Sequence, residues 1–94
     1  VDIKVLEEES SVNRELVLVK VRADAADRQS IIAIANVFRG SIIDVGKDSL
    51  IIELTGQQSK LDAFVELLRG YEILELARTG ITGLSRGAED IRYL

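Results

Sequence analysis

The sequence contains no cysteine and no histidine among its 94 residues. Without them the chain has no thiol nucleophile, no imidazole base and none of the usual zinc ligand sets. Most hydrolase and metalloenzyme chemistry is therefore excluded, and we expect no catalytic residue, metal ligand or cofactor in this chain. The lack of cysteine also excludes the disulfide framework that stabilises many small secreted domains.

Positive charge and aromatic rings are also scarce. The net charge at pH 7 is −4, and the chain has only two Phe and two Tyr. A nucleic-acid interface needs a cationic surface, and RNA-binding domains stack bases on aromatic rings. No apolar run approaches the roughly 20 residues that span a bilayer, and residues 1–4 show no signal-peptide pattern. We therefore expect no nucleic-acid or membrane partner, and a cytoplasmic location.

The composition that is present indicates one small globular domain. Hydrophobic residues make up 47% of the chain and charged residues 30%, as in soluble domains of this length. A domain of this size buries a smaller share of its surface on folding than a larger domain does, so pairing with another chain or domain would add stability. Val1 in first place and the absence of Met favour a piece of a longer protein.

The first half of the chain predicts a strand, a helix and a hairpin. Residues 15–21 are nearly all apolar, as in a central strand with both faces covered. A helix follows, capped by Asp24 or Asp27 and ended by Gly40 in a left-handed conformation. Residues 41–45 and 49–55 then predict two antiparallel strands. The helix stripe is Ile31, Ile34, Ala35 and Phe38. In the second strand of the hairpin, Leu50, Ile52 and Leu54 line one face, and Ile51, Glu53 and Thr55 the other.

The second half predicts another helix and a last strand. Gln57 or Ser59 is the expected cap of the helix, residues 73–77 form the strand, and the glycines after it indicate irregular chain. The helix stripe is Leu61, Phe64, Val65 and Leu68. The order predicts an α+β fold of the ferredoxin-like βαββαβ type, with two helices on one face of a four-stranded antiparallel sheet. We assign 1–13 to a remnant strand and linker, 14–82 to this domain and 83–94 to a tail.

Several activities known for this fold find little support in the residues. The predicted first loop, residues 22–27, holds only two carboxylates for a metal. Arg22, Arg28 and Asn36 could suggest an acylphosphatase-like phosphate site, but a solvated surface explains both arginines better. Domains of the ACT family, which share this topology, bind amino acids beside this loop, commonly with a Pro-Gly sequence that the present loop lacks.

The segment from Leu76 to Gly87 joins a strand end to a basic, glycine-punctuated motif that folding does not require. It contains Arg78 and Arg86, with Arg92 further on, and the apolar Leu84. One interpretation is a solvated loop whose leucine packs on the core and whose arginines pair with Glu89-Asp90. The other is a docking segment, in which arginines bind carboxylates of a partner and Leu84 fills a pocket.

Separated blocks of the sequence resemble one known family. They are Ser10-Ser11-Val12 with Arg14-Glu15-Leu16, Phe38-Arg39-Gly40, Ile42-Ile43-Asp44-Val45, Lys60-Leu61-Asp62-Ala63-Phe64, Ala77-Arg78-Thr79-Gly80 and Gly83-Leu84-Ser85-Arg86-Gly87. In this order they resemble the C-terminal half of the small, regulatory subunit of acetohydroxyacid synthase, also called acetolactate synthase.

The resemblance implies a non-catalytic domain that supports activation and valine feedback of a catalytic subunit in branched-chain amino acid biosynthesis. Thiamine diphosphate, Mg and FAD would belong to that catalytic subunit, and a valine-type effector to a neighbouring N-terminal ACT domain whose last strand would be residues 1–6. We expect a homodimer with Ile42 and Ile43 at its edge, and partner docking at Arg78, Leu84, Ser85 and Arg86. A stand-alone amino-acid sensor and a purely structural dimerisation module remain the alternatives.

Overall fold

The computed structural model describes residues 11–88. Its elements are β1 (Ser11–Arg22), α1 (Arg28–Val37), β2 (Ser41–Val45), β3 (Ser49–Gly56), α2 (Gln58–Leu68), β4 (Ile73–Arg78) and β5 (Thr82–Ser85). Four strands form an antiparallel sheet in the order β2-β3-β1-β4. The predicted α+β, ferredoxin-like fold is thereby confirmed. The strand expected at residues 1–6, together with Glu89, Asp90 and Arg92, lies outside the described residues.

The core lies between the sheet and the two helices. Both predicted helix stripes face it: Ile31, Ala35 and the four stripe residues of α2 are buried, and Ile34 and Phe38 pack against them. The rings of Phe38 and Phe64 meet edge to face, with centroids 5.4 Å apart, an arrangement that favours the positive ring edge against the negative face. The alternation predicted for β3 is also confirmed, because Leu50, Ile52 and Leu54 are buried.

Strand β1 has one buried face and one half-buried face. Val17, Val19 and Val21 are fully buried, whereas Leu18 and Lys20 between them are half-buried. The prediction that both faces are covered is wrong, because the buried positions of β1 and β3 all alternate onto the single face that carries the helices. Within the described residues, no helix covers the other face of the sheet, so its apolar residues stay partly accessible to solvent.

Helix α1 ends differently from the prediction. Arg39, not Gly40, adopts the left-handed conformation, with φ of 60°. Gly40 has another role, because a Cβ at this position would lie 3.2 Å from Ile52 Cγ2 and 3.3 Å from the carbonyl oxygen of Glu53. Its lack of a side chain therefore lets the chain enter β2 close to β3.

The helix N-termini also differ in detail from the prediction. Asp27 and Gln57 occupy the cap positions, but neither side chain makes a capping hydrogen bond. The carboxylate of Asp24 instead accepts a hydrogen bond from the backbone N–H of Asp27 at 2.9 Å. Asp24 therefore stabilises the turn that precedes α1 rather than the first turn of the helix itself.

The residues after Gly80 form strand β5, where irregular chain was predicted. β5 pairs antiparallel with the first four residues of β1, so that Ser11 faces Ser85 and Arg14 faces Thr82. Residues 11–13, assigned to a linker from the sequence, therefore belong to a strand. We refer to residues 11–14 and 82–85 together as the ribbon.

The ribbon continues the β1–β4 pairing past a bulge. Val17 faces Arg78 and Arg14 faces Thr82. Three residue steps along β1 therefore correspond to four steps along the paired chain from Arg78 to Thr82. The extra residue lies beside Gly80, whose φ of 84° is left-handed. A single inserted residue with a left-handed glycine is typical of a β-bulge, and here it marks the boundary between the main sheet and the ribbon.

Candidate functional site

Arg78 links β1, β4 and α2 through its side chain. Its Nε and Nη2 donate hydrogen bonds to Glu15 Oε2 at 3.1 Å and Oε1 at 2.6 Å, and Nη1 donates to Asp62 Oδ1 at 2.8 Å. Two parallel bonds of this kind are the strongest arrangement that an arginine and a carboxylate form. The guanidinium is therefore engaged within the chain, and Arg78 is half-buried rather than presented to a partner.

Glu15 is the buried member of this cluster. Its side chain is 7% exposed, and its Oε2 also accepts a hydrogen bond from the backbone N–H of Gly80 at 3.1 Å. The hydrogen bonds from Arg78 hold the pKa of this carboxyl below its ordinary value, and the bond from Gly80 acts in the same direction. The two carboxylates of Glu15 and Asp62 in turn raise the pKa of Arg78.

The cluster fixes the point at which the ribbon begins. The backbone N–H of Thr79 donates to the carbonyl oxygen of Leu16 at 3.0 Å, and the Thr79 hydroxyl accepts from the N–H of Leu16 at 3.1 Å. Together with the Glu15–Gly80 bond, these contacts hold the bulge against β1. The direction of the ribbon is therefore determined by side chains that belong to the body of the domain.

The other three predicted docking residues lie on β5 or directly after it. Leu84 is 70% exposed, Ser85 is half-buried opposite Ser11, and Arg86 is exposed. The structure thus separates the four candidates, because Arg78 belongs to the internal cluster whereas residues 84–86 lie at the far end of the ribbon. Docking by these residues stays a prediction. Leu84 and Arg86 are the two candidates whose side chains are accessible to a partner.

Gly83 allows the two ribbon strands to approach each other. A Cβ at this position would lie 2.9 Å from the carbonyl oxygen of Val12 and would overlap the Oδ1 atom of Asn13. The Asn13 side chain therefore crosses the space that any other residue at position 83 would fill. Glycine is required here for close approach, not for a left-handed backbone.

A polar groove lies between the ribbon and the start of α2. It has a volume of about 270 Å³, and the polar residues that line it include Asn13, Arg14, Gln57, Ser59 and Asp62. Within residues 11–88 no group of three or more His, Cys, Asp or Glu could hold a metal ion. In the same range, neither helix is long and apolar enough to cross a membrane.

The loop between β1 and α1, where ACT domains bind amino acids, is closed by Arg28. Its Nη2 donates to the carbonyl oxygens of Ala23, Gly46 and Lys47 at 3.2, 2.8 and 2.8 Å. The assignment of Arg28 to a solvated surface is therefore wrong, since it joins this loop to the β2–β3 hairpin. Arg22 does lie at the surface, where it pairs with Glu72 at 3.3 Å.

The two candidate dimer-edge residues differ in their surroundings. Ile42 is half-buried and packs against the core, whereas Ile43 is 52% exposed. The register between β2 and β3 shifts between Ile42 and Asp44, so that Ile43 falls in an irregular part of the edge. Bulges and charged side chains at an edge oppose strand pairing with another chain; the dimer edge therefore stays a prediction.

Glu15 and Asp62 are members of the Arg78 cluster that the sequence did not predict. Glu15 alternates with Val17, Val19 and Val21 and so shares their core-facing side of β1. An acidic residue at such a position is a signal, because a buried carboxylate needs a partner of opposite charge. The signal predicts a cation nearby but not which one, since Arg78 lies 63 residues away in the sequence.

Comparison with known proteins shows which family the chain resembles in sequence. Residues 14–87 match the family model described as "Small subunit of acetolactate synthase". The probable acetolactate synthase small subunit of Methanothermobacter thermautotrophicus is 49% identical over 89 residues, which cover 94% of this chain and 53% of that protein. The acetolactate synthase small subunit of Mycolicibacterium smegmatis is 48% identical over 85 residues, covering 90% of this chain and 50% of that protein.

A solved structure shows the same similarity. The crystal structure of the acetolactate synthase small subunit from Thermotoga maritima superposes with a TM-score of 0.80 at 45% identity, covering 87% of this chain and 50% of that one. The chain thus spans about half the length of the curated relatives that it matches.

Proposed function

Because the chain belongs to the family of acetolactate synthase small subunits, we propose that it is a non-catalytic regulatory domain of acetohydroxyacid synthase in branched-chain amino acid biosynthesis. The domain supports dimerisation of the regulatory subunit, and activation and valine feedback of a cytoplasmic catalytic subunit that carries thiamine diphosphate, Mg and FAD. The observation that carries the proposal is the family match, which covers residues 14–87.

The composition supports a regulatory rather than a catalytic role. The chain has neither histidine nor cysteine, and the Arg78 cluster holds two strands and a helix of the described residues together. In a bidentate arginine–carboxylate pair with a second carboxylate on the remaining nitrogen, the positive charge of the arginine is already neutralised. Such a cluster suits a domain that transmits a conformational signal between fixed elements.

The loop between β1 and α1 favours an effector site elsewhere in the subunit. Arg28 donates hydrogen bonds to the carbonyl oxygens of Ala23, Gly46 and Lys47 and so closes the loop. Asp24 and Asp27 also place negative charge where the carboxylate of an amino acid would bind. We assign the valine-type effector to a neighbouring domain of the same subunit. A coupling free energy of about 1–3 kcal/mol between effector site and catalytic site is typical of allostery, and this domain would carry part of it.

Reconstitution tests the proposal directly. The full-length subunit, with residues 14–87 present or deleted, is mixed with the catalytic subunit, and acetolactate formation is measured with and without valine. We expect the deletion to lower activation and to weaken the valine response. Equal activation and equal inhibition by the two forms would show that this domain has no regulatory role.

A further inference from the structure

The ribbon carries an exposed apolar pair on one face. Val12 and Leu84 face each other across β1 and β5, and they are 38% and 70% exposed. Both alternate onto the helix-free side of the sheet, the side of Leu16 and Leu18. The core lies on the opposite side, so this pair contributes to no packing between the sheet and the helices.

The ribbon and the residues next to it are cationic. Residues 11–14 and 80–88 contain Arg14 and Arg86 and no acidic residue, although the whole chain has a net charge of −4. Neither arginine forms an ion pair with any described residue, and Arg14 only donates to the backbone oxygen of Asn13 at 2.7 Å. The other described arginines pair with carboxylates or carbonyl oxygens in the body of the domain, with the exception of Arg39.

The ribbon is built to keep this surface in place. A two-stranded ribbon alone is marginally stable in water. Here the Glu15–Arg78 pair and the bulge at Gly80 fix one end, and Gly83 allows the two strands to pair closely. An apolar pair beside two unpaired arginines, held on a supported extension, has the composition of a docking surface with an apolar centre and a charged rim.

We propose that the face formed by Val12, Leu84, Arg14 and Arg86 binds an apolar segment of the catalytic subunit that bears at least one carboxylate. The inference rests on the proposed function. Beyond it, the inference specifies the chemistry of the partner segment and includes two residues of β1, Val12 and Arg14, in the docking surface. Charge complementarity selects this occupant, because an acidic segment neutralises the two arginines whereas a second copy would place cation against cation. Leu84 is the apolar anchor, and Arg86 steers association.

Binding of the full-length subunit to the immobilised catalytic subunit tests the proposal, with rates measured by biolayer interferometry between 50 and 500 mM NaCl (about 14 to 4 Å Debye length). Leu84→Ser is compared with Val37→Ser, which changes a 79% exposed valine on α1. Arg86→Glu is compared with Arg69→Glu, which reverses an exposed arginine on α2 paired with Glu66. Thermal melts of all four variants report folding.

We expect Leu84→Ser to raise the Kd about tenfold or more, the equivalent of losing one buried leucine. Arg86→Glu should slow association and weaken its dependence on salt, while both control variants bind like wild type. Wild-type binding that Leu84→Ser and Arg86→Glu leave unchanged would overturn the inference and leave the proposed function standing. Absence of wild-type binding would instead overturn the proposed function.

Two further outcomes would also contradict the inference. If Leu84→Ser abolishes self-association in sedimentation but not binding to the catalytic subunit, the surface belongs to a second copy of the chain. If Arg86→Glu lowers the melting temperature without changing the binding rates, acidic residues of the chain itself, such as Glu7-Glu8-Glu9, neutralise the arginine.

Discussion

Arg78 and Glu15 form a bidentate ion pair across 63 residues of sequence, with Nε–Oε2 and Nη2–Oε1 distances of 3.1 and 2.6 Å. Because Asp62 binds the remaining Nη1, one side chain holds β1, β4 and α2 together. The pair stands directly before the bulge at Gly80, so it also determines where the main sheet ends and the ribbon begins.

The pH dependence of stability should report the Glu15–Arg78 pair. Folding lowers the pKa of Glu15, mainly through the hydrogen bonds from Arg78, so its carboxylate favours the folded state above the unfolded pKa of about 4.3. This contribution is lost as the pH falls through the lower pKa of the folded state. We expect urea unfolding at pH 2–7 to show a smaller loss of stability on acidification for Glu15→Gln than for wild type. Identical slopes would contradict the assigned role of Glu15.

Gly83→Ala should loosen the ribbon while the body of the domain stays folded. The added methyl group meets the Val12 carbonyl oxygen at 2.9 Å and the Asn13 side chain, and forcing such a group into filled space costs about 1–3 kcal/mol. Hydrogen exchange should accelerate at residues 11–14 and 82–85 and stay unchanged in β3. Gly70→Ala is the control, because its new Cβ would be 3.6 Å from the Leu67 carbonyl oxygen. Unchanged protection of β5 would refute the requirement for glycine.

Replacing Arg39 by glycine should stabilise the domain. Arg39 has a φ of 60°, and a left-handed conformation costs a non-glycine residue about 1–2 kcal/mol. Glycine relieves this strain but loses more entropy on folding, so the expected net gain is about 0.5–1 kcal/mol in urea unfolding. Arg39→Ala keeps the strain and should show no such gain, and equal stabilities of the two variants would argue against backbone strain at this position.

Ile43→Lys should convert a dimer into monomers if β2 is the dimer edge. Ile43 is 52% exposed, and a lysine there would bring two like charges together across a two-fold interface. Sedimentation of wild type and variant checks the result. Ile42→Lys is the less informative change, because Ile42 packs against the core and its replacement would also destabilise the monomer. A variant dimer as stable as wild type would place the interface elsewhere.

Branched-chain amino acids should leave the loop between β1 and α1 unchanged. Arg28 already binds three carbonyl oxygens there, and Asp24 and Asp27 would repel the ligand carboxylate. Titration of the 94-residue chain with valine, leucine and isoleucine should produce no saturable amide NMR shifts at residues 24–28. Saturable shifts there would favour the alternative function, a stand-alone amino-acid sensor.

The local sequence determined most of the fold. Helical spacing in α1 and α2, alternation in β3 and the short Gly46-Lys47-Asp48 connection each depend on residues close together in the chain, and all four features are present. Periodicity is imposed by backbone geometry, so it can be recognised without tertiary contacts. The resemblance to the acetolactate synthase small subunit was likewise present in the ordered blocks of sequence, and the family match over residues 14–87 confirmed it.

Only the tertiary structure decided the rest. Strand β5 contains glycine and threonine in a segment typical of a loop, and it becomes a strand because it pairs with the first residues of β1, which lie 68 to 74 positions earlier in the chain. Arg78 was predicted to be a docking residue because it lies in the basic, glycine-punctuated segment at the end of β4. Its carboxylates come from β1 and α2, and pairing of charges so distant in sequence is fixed by the fold, not by local pattern.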